Sequence, residues 1–147
     1  MNTPISALLD RKGAVLHTAA PAETVAAVVA RMNRHHIGSV LVLDGAKLTG
    51  IFTERDVLRR VVGAGLDPNG TVVADVMTRQ VLTVTPATTL DQAVKIFTEK
   101  RCRHLPVIES GELRGLVSIG DVTRWLSEAH RVEAEQLKNY IAGGVPT

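Results

Sequence analysis

Apolar positions along this chain follow two rhythms, and the order in which the rhythms alternate occurs twice. A short β-like run at residues 15–18 precedes Pro21, and Val25, Val28, Val29 and Met32 then fall at the i, i+3, i+4, i+7 spacing of an amphipathic helix. Two dense apolar runs follow, at 39–43 and 48–52, joined through Asp44-Gly45, a strong hairpin signal. A second helix is predicted from about Thr53 to a stop before Gly63 and Gly65. The order then returns: a β-like run at 81–85, Pro86, and Leu90, Ala93, Val94 and Phe97 at helical spacing. After these come runs at 105–108 and 113–118 around Ser110-Gly111, and a last helix from Gly120 to about Tyr140. Pro21 and Pro86 are read as helix openers, and Thr88 with Asp91 as a capping box. The strands are apolar almost without break, which predicts burial on both faces.

The two halves align without a gap, 65 positions apart, with ten identities over residues 21–60 and 86–125. Among them are Pro21/Pro86, Val42/Val107, Gly50/Gly115 and Asp56/Asp121. A unit repeated at fixed period is one too small to bury its apolar face alone. The expectation is mixed α/β (α+β) structure: two β-α-β-β-α repeats, small sheets flanked by helices, related by a pseudo-two-fold axis with paired clefts at the seam. Repeat boundaries are placed at 8–67 and 76–132, with 133–147 as helix end and tail. Asp67-Pro-Asn-Gly70 reads as a linker and 71–77 as a short helical turn leading into the second copy.

Composition narrows the function. A net charge of +2 is weak despite a pI near 9.0, and Phe52, Phe97, Trp125 and Tyr140 are not interleaved with basic residues. Nucleic acid is therefore disfavoured as a partner. No apolar run approaches the ~18 residues that span a bilayer, so no membrane is expected. A single cysteine, Cys102, excludes an intrachain disulfide and suits a reducing, cytoplasmic setting. No nucleophile–base set can be assembled: Gly115-x-x-Ser118-x-Gly120 lacks the spacing of a nucleophile elbow. His35 and His36 are adjacent and do not share a helix face as zinc ligands would. An enzyme is not expected, nor a metal or a catalytic cofactor.

The recurring chemistry is Gly50-Ile-Phe-Thr53-Glu-Arg-Asp56, written again as Gly115-Leu-Val-Ser118-Ile-Gly-Asp121. Each copy puts a glycine in a strand, a hydroxyl at the strand-to-helix junction and a carboxylate in the first helical turn. The strand glycine permits close approach of a ligand or another backbone. The helix start favours a phosphate, and the carboxylate can accept two hydrogen bonds from a vicinal diol. Together they suit a ribose phosphate. The same spacing is that of a capping box, which either copy alone could be.

The ordered double occurrence of this element resembles the tandem cystathionine-β-synthase-type (CBS) pair, or Bateman module, over most of the chain. The resemblance implies a stand-alone regulatory pair that binds AMP, ADP or ATP, with NAD(H) or S-adenosylmethionine in some members, and assembles as a homodimer. It implies that each cleft joins the Asp element of one repeat to the leading segment and central strand of the other. One site would combine Ser118 and Asp121 with Thr18, Ile37, Gly38 and Ser39. The other would combine Thr53, Arg55 and Asp56 with Thr83, Cys102, Arg103, His104 and Pro106. Asp56 and Asp121 would hold ribose, while Ile37 and Cys102 would form apolar walls. Arg103 and His104 would make the second site the one suited to added phosphates. The regulated protein stays unknown.

Two further expectations follow from the residues. Helix faces around Val57, Val61, Val122 and Leu126 are read as uncovered in one chain and so as a dimer surface. The first-turn carboxylates are expected to contribute little to stability. A ligand-free interaction module acting through the last helix, with Trp125, Leu126, Ala129, Val132 and Leu137 as its stripe, is the alternative reading.

Overall fold

Each repeat starts its first helix on a threonine, and the two starts are superimposable in sequence. The computed structural model describes residues 2–13 and 16–139. Thr24 caps α2 (Val25–His35) by accepting from the Ala27 amide, and Thr89 caps α4 (Leu90–Lys100) in a full capping box with Gln92. The box lies one residue beyond the Thr88 and Asp91 expected from sequence, because Thr88 instead accepts from the Thr85 amide. Pro21 and Pro86 lie in the turns ahead of the helices.

A parallel pair opens the first sheet, where β1 (Thr18–Ala19) lies beside β2 (Ser39–Asp44). β2 turns back as β3 (Lys47–Thr53), giving the order β1-β2-β3. β4 (His104–Glu109) and β5 (Glu112–Ser118) form the second hairpin. Its leading segment is reduced to one parallel bridge, Val84 beside Val107, where the first repeat has Ala19 beside Val42. The β-like run expected at 81–85 is thus a single bridge, and Val15 of the run at 15–18 lies outside the described residues. The first hairpin loop is Gly45-Ala46, since Asp44 still pairs with Lys47. Gly45 takes φ 62°, which glycine adopts without strain.

α3 (Glu54–Asp56) runs on as a π-helical segment, Val57–Val62, whereas its counterpart α5 (Ile119–Asn139) is α-helical throughout. Tyr140 lies outside the described residues.

The core divides in two, and the division does not follow the sequence repeats. One cluster joins Val25, Val28, Met32, Val40 and Phe52 of the first repeat to Val73, Val76 and Met77, which lead into the second. The other joins Leu90, Phe97, Leu105 and Val117 to Ile5 and Leu8 of α1 (Ile5–Lys12). Each repeat therefore packs beneath the leading segment of the other. Backbone bonds mark the exchange: Ile5 N–H to Thr88 C=O at 2.8 Å matches Val73 N–H to Glu23 C=O at 2.8 Å. Leu90 N–H to Thr3 C=O, 2.8 Å, matches Val25 N–H to Thr71 C=O, 2.9 Å. Ile5 and Leu8 are buried, and full burial of such a side chain contributes about 1.5–3 kcal/mol.

The strand glycines admit these segments. A Cβ on Gly50 would stand 2.7 Å from both Met77 Sδ and the Thr78 carbonyl, and one on Gly115 2.7 Å from Leu9 Cδ2. Both glycines serve close packing of the chain on itself. Val61 and Val122, expected to be uncovered, are buried at 0% and 1% exposure because the same clusters enclose them. The exposed apolar residues beside them are Leu58 and Val62.

Candidate functional site

The strand-to-helix junctions of both repeats meet at the seam. Glu54 N–H donates to Gly38 C=O at 3.0 Å, and Ile119 N–H to Arg103 C=O at 2.9 Å, the same bond 65 residues on. Around these bonds lies a cavity of about 600 Å3, within the range of small-molecule sites.

Its lining is lopsided. Four symmetry-matched pairs contribute from both repeats: Gly38 and Arg103, Thr53 and Ser118, Glu54 and Ile119, Arg55 and Gly120. Beyond them the cavity extends only toward Asp56, taking in Ile51, Thr78, Arg101, Cys102 and His104. The counterparts Leu116, Asp121, His36, Ile37 and Ser39 do not line it.

Of the residues expected in the Asp56 site, Thr53, Arg55, Asp56, Cys102, Arg103 and His104 come together in this cavity. Thr83 is exposed away from it, and Pro106 is buried in β4. Of the Asp121 set, only Ser118 and Gly38 reach it. Thr18 pairs with Leu41 and its carbonyl accepts from Arg31; Ser39 is buried; Ile37 packs on the first core cluster. Asp121 lines a different hollow with Lys12, Arg124 and Trp125.

Both aspartates are engaged by the leading segment of the other repeat. Asp56, 5% exposed, accepts from the Thr53 amide at 3.0 Å and from the hydroxyls of Thr53 and Thr78 at 3.2 and 3.1 Å. Arg60 Nε stands 3.6 Å from its Oδ1. A carboxylate that satisfies so many buried donors is structural, contrary to the expectation that it contributes little. Asp121 accepts from the Ser118 amide at 2.9 Å and from Lys12 Nζ at 2.7 Å. Burial works against its ionised form, but Lys12 and the Ser118 donors outweigh that and hold the carboxyl below its usual range.

Electrostatics around the cavity are cationic. The side chains of Arg55, Arg101 and Arg103 make no hydrogen bond or ion pair to a described residue. His104 differs: burial first, then the charge of Lys12, pushes its imidazole below the usual value, with Asp121 opposing. The shift favours the neutral imidazole, which is both a donor and an acceptor. Burial raises the Cys102 thiol, which favours its neutral form in the cavity lining.

Thr78, Arg101 and Glu54 were missed as site residues. Thr78 has a legible cue: Ile5, Leu8 and Leu9 recur 68 positions on as Val73, Val76 and Met77, the offset of the exchanged segments.

The family profile of the CBS domain matches residues 5–63 and 73–128. The chain belongs to the CBS domain family. CBS domain-containing protein CBSX3, mitochondrial, of Arabidopsis thaliana is 40% identical over 127 residues, covering 83% of this chain and 62% of that protein. This chain thus spans under two thirds of that relative. The CBS-domain containing protein ATU1752 of Agrobacterium tumefaciens, a solved structure, is 39% identical with a TM-score of 0.79, over 83% of this chain and 98% of that one. CBSX2, solved in complex with AMP, shares the fold at 23% identity and a TM-score of 0.71, over 87% of this chain and 98% of that one. CBS domain proteins are regulatory modules rather than enzymes as a class. Among the described residues no helix is long and apolar enough to cross a membrane.

Proposed function

We propose that this protein is a nucleotide sensor that holds an adenosine-containing ligand (AMP, ADP or ATP, with NAD(H) in the same class) in the seam cavity. The observation that carries the reading is the convergence there of both hydroxyl-bearing junctions, the Asp56 carboxylate and three arginine side chains with no hydrogen bond or ion pair to a described residue. Thr53 and Asp56 would take the ribose hydroxyls, Cys102 and Ile51 would flank the adenine, and Arg55, Arg101 and Arg103 would meet phosphates. The AMP bound by CBSX2 supports an adenine nucleotide as the class. The lone thiol suits a cytoplasmic, reducing setting.

A homodimer of two pairs is part of the proposal, on different residues from those expected. Leu58 and Val62 are 66% and 64% exposed on consecutive turns beyond Asp56, a surface that closed two-fold association would cover. Sedimentation tests it: a dimer is expected at micromolar concentration, and a monomer with and without nucleotide would overturn it.

Calorimetry with AMP and ATP tests the ligand. Saturable binding to the wild type, weakened at least tenfold by Asp56→Asn, is expected. Unchanged binding in that variant would remove Asp56 from the site.

A further inference from the structure

Seen from the pseudo-two-fold axis, two equivalent carboxylates have unequal partners. The exchanged segment over the first repeat gives Asp56 a neutral hydroxyl, Thr78 Oγ1 at 3.1 Å, and Thr78 itself lines the open cavity. The exchanged segment over the second gives Asp121 an ammonium, Lys12 Nζ at 2.7 Å. That ammonium also donates to the Leu116 carbonyl at 2.7 Å, so two acceptors fix it. Each aspartate also has an arginine 3.6 Å from one oxygen, Arg60 at Asp56 and Arg124 at Asp121, so the arginines do not separate the halves.

The covering segments differ in backbone as well: Thr78 pairs with Ile51 through two bonds of 2.9 Å, whereas α1 lies over β5 as a helix. Met77 presses on Gly50 as Leu9 presses on Gly115, each 2.7 Å from the position of a Cβ. The seam cavity extends to Asp56, whereas Asp121 lines the separate hollow with Lys12. At the two carboxylates themselves, the covering segments differ in bringing Lys12 to Asp121 and Thr78 to Asp56.

We infer that Lys12 sets the stoichiometry of this module: it occupies the diol-accepting carboxylate of the Asp121 cleft and leaves one nucleotide site, at Asp56, per chain. The inference rests on the nucleotide reading of the seam. A ribose diol can replace the Thr78 hydroxyl at Asp56 as one neutral donor replaces another. At Asp121 it would have to displace a charge-assisted bond to a carboxylate that is 13% exposed. α1 stays docked without Lys12, because Ile5 and Leu8 remain buried in the second core cluster.

The test is calorimetry of AMP on the whole chain and on Lys12→Met, which keeps the aliphatic stem and removes the charge. Wild type should bind one AMP per chain and Lys12→Met two. Asp56→Asn should abolish binding in the wild-type background and leave one site in the Lys12→Met background. Carboxyl NMR supplies an independent readout, since the Asp121 carboxyl should titrate at higher pH in Lys12→Met. Lys12→Gln serves as a second variant if the first folds poorly. Two equal sites in the wild type, or one site in both Lys12 variants, would overturn the inference and leave the nucleotide reading standing. No binding to any of these proteins would overturn that reading and the inference with it.

Discussion

Adding one methyl group to each of the two strand glycines should separate two kinds of contact that look alike in sequence. Gly50 and Gly115 occupy the same place in their repeats. In Gly50→Ala the new Cβ would lie 2.7 Å from the Thr78 carbonyl and from Met77 Sδ. A side chain can turn away, but the carbonyl cannot without moving the segment. That segment is held to β3 by Thr78 N–H to Ile51 C=O and Ile51 N–H to Thr78 C=O, both 2.9 Å, and by the Thr78 hydroxyl on buried Asp56. Two backbone bonds at about 1 kcal/mol each, with about 1.5 kcal/mol for a bond to a carboxylate, sum to roughly 3.5 kcal/mol. Relief of unfolded-chain entropy returns about 0.5 kcal/mol, leaving a net loss of about 3 kcal/mol. In Gly115→Ala the only close atoms belong to the half-buried Leu9 side chain, which can change rotamer, so the loss should be about 1 kcal/mol or less. Denaturant unfolding at constant m reads both. Equal losses would refute the reasoning, since they would mean that the 77–78 segment is no more firmly held over β3 than the Leu9 side chain over β5.

Asp56→Ala should destabilise by about 2–4 kcal/mol in denaturant unfolding, because it strands the Thr53 amide and the Thr78 hydroxyl. Asp121→Ala should cost less, since Lys12 is 36% exposed and regains water. His104 has a folded-state pKa below the ordinary 6.5, so its unfolded form takes up the proton first and stability falls as pH drops below about 6.5. His104→Asn should lose that part of the pH profile. The depressed Asp121 carboxyl adds stability above 3.8 that disappears as pH falls through its lower folded value. Arg103→Ala should weaken ATP more than AMP in calorimetry, by up to fivefold for about 1 kcal/mol, with the gap narrowing in salt.

The repeat, the hairpins and the hydroxyl–carboxylate element were legible because each is a local rule of spacing and turn chemistry. The first core lay open in the periodicity of Val25, Val28 and Met32. What escaped was long-range. The exchange of leading segments hides behind an offset of 68 where the repeats keep 65, so alignment at one period loses it. Thr78 and Lys12, which face the two aspartates, fall in those segments and carry no motif. The capping box read at Thr88 stands one residue further on, at Thr89, because the Thr88 hydroxyl is taken by the Thr85 amide. His36 and Arg101 end α2 and α4 at φ 53° without glycine, which no sequence signal marks. Burial of Val61 and Val122 depended on the same exchange, since Val61 shares its cluster with Val73, Val76 and Met77, and Val122 shares its cluster with Ile5 and Leu8.

Titration of AMP into isotope-labelled protein, followed by amide chemical shifts, tests the central claim most directly. Saturable shifts should cluster at Thr53, Asp56, Thr78, Cys102 and His104, the half of the seam that is open. A spectrum unmoved by millimolar AMP and ATP, or shifts confined to the outer faces of α4 and α5, would contradict it.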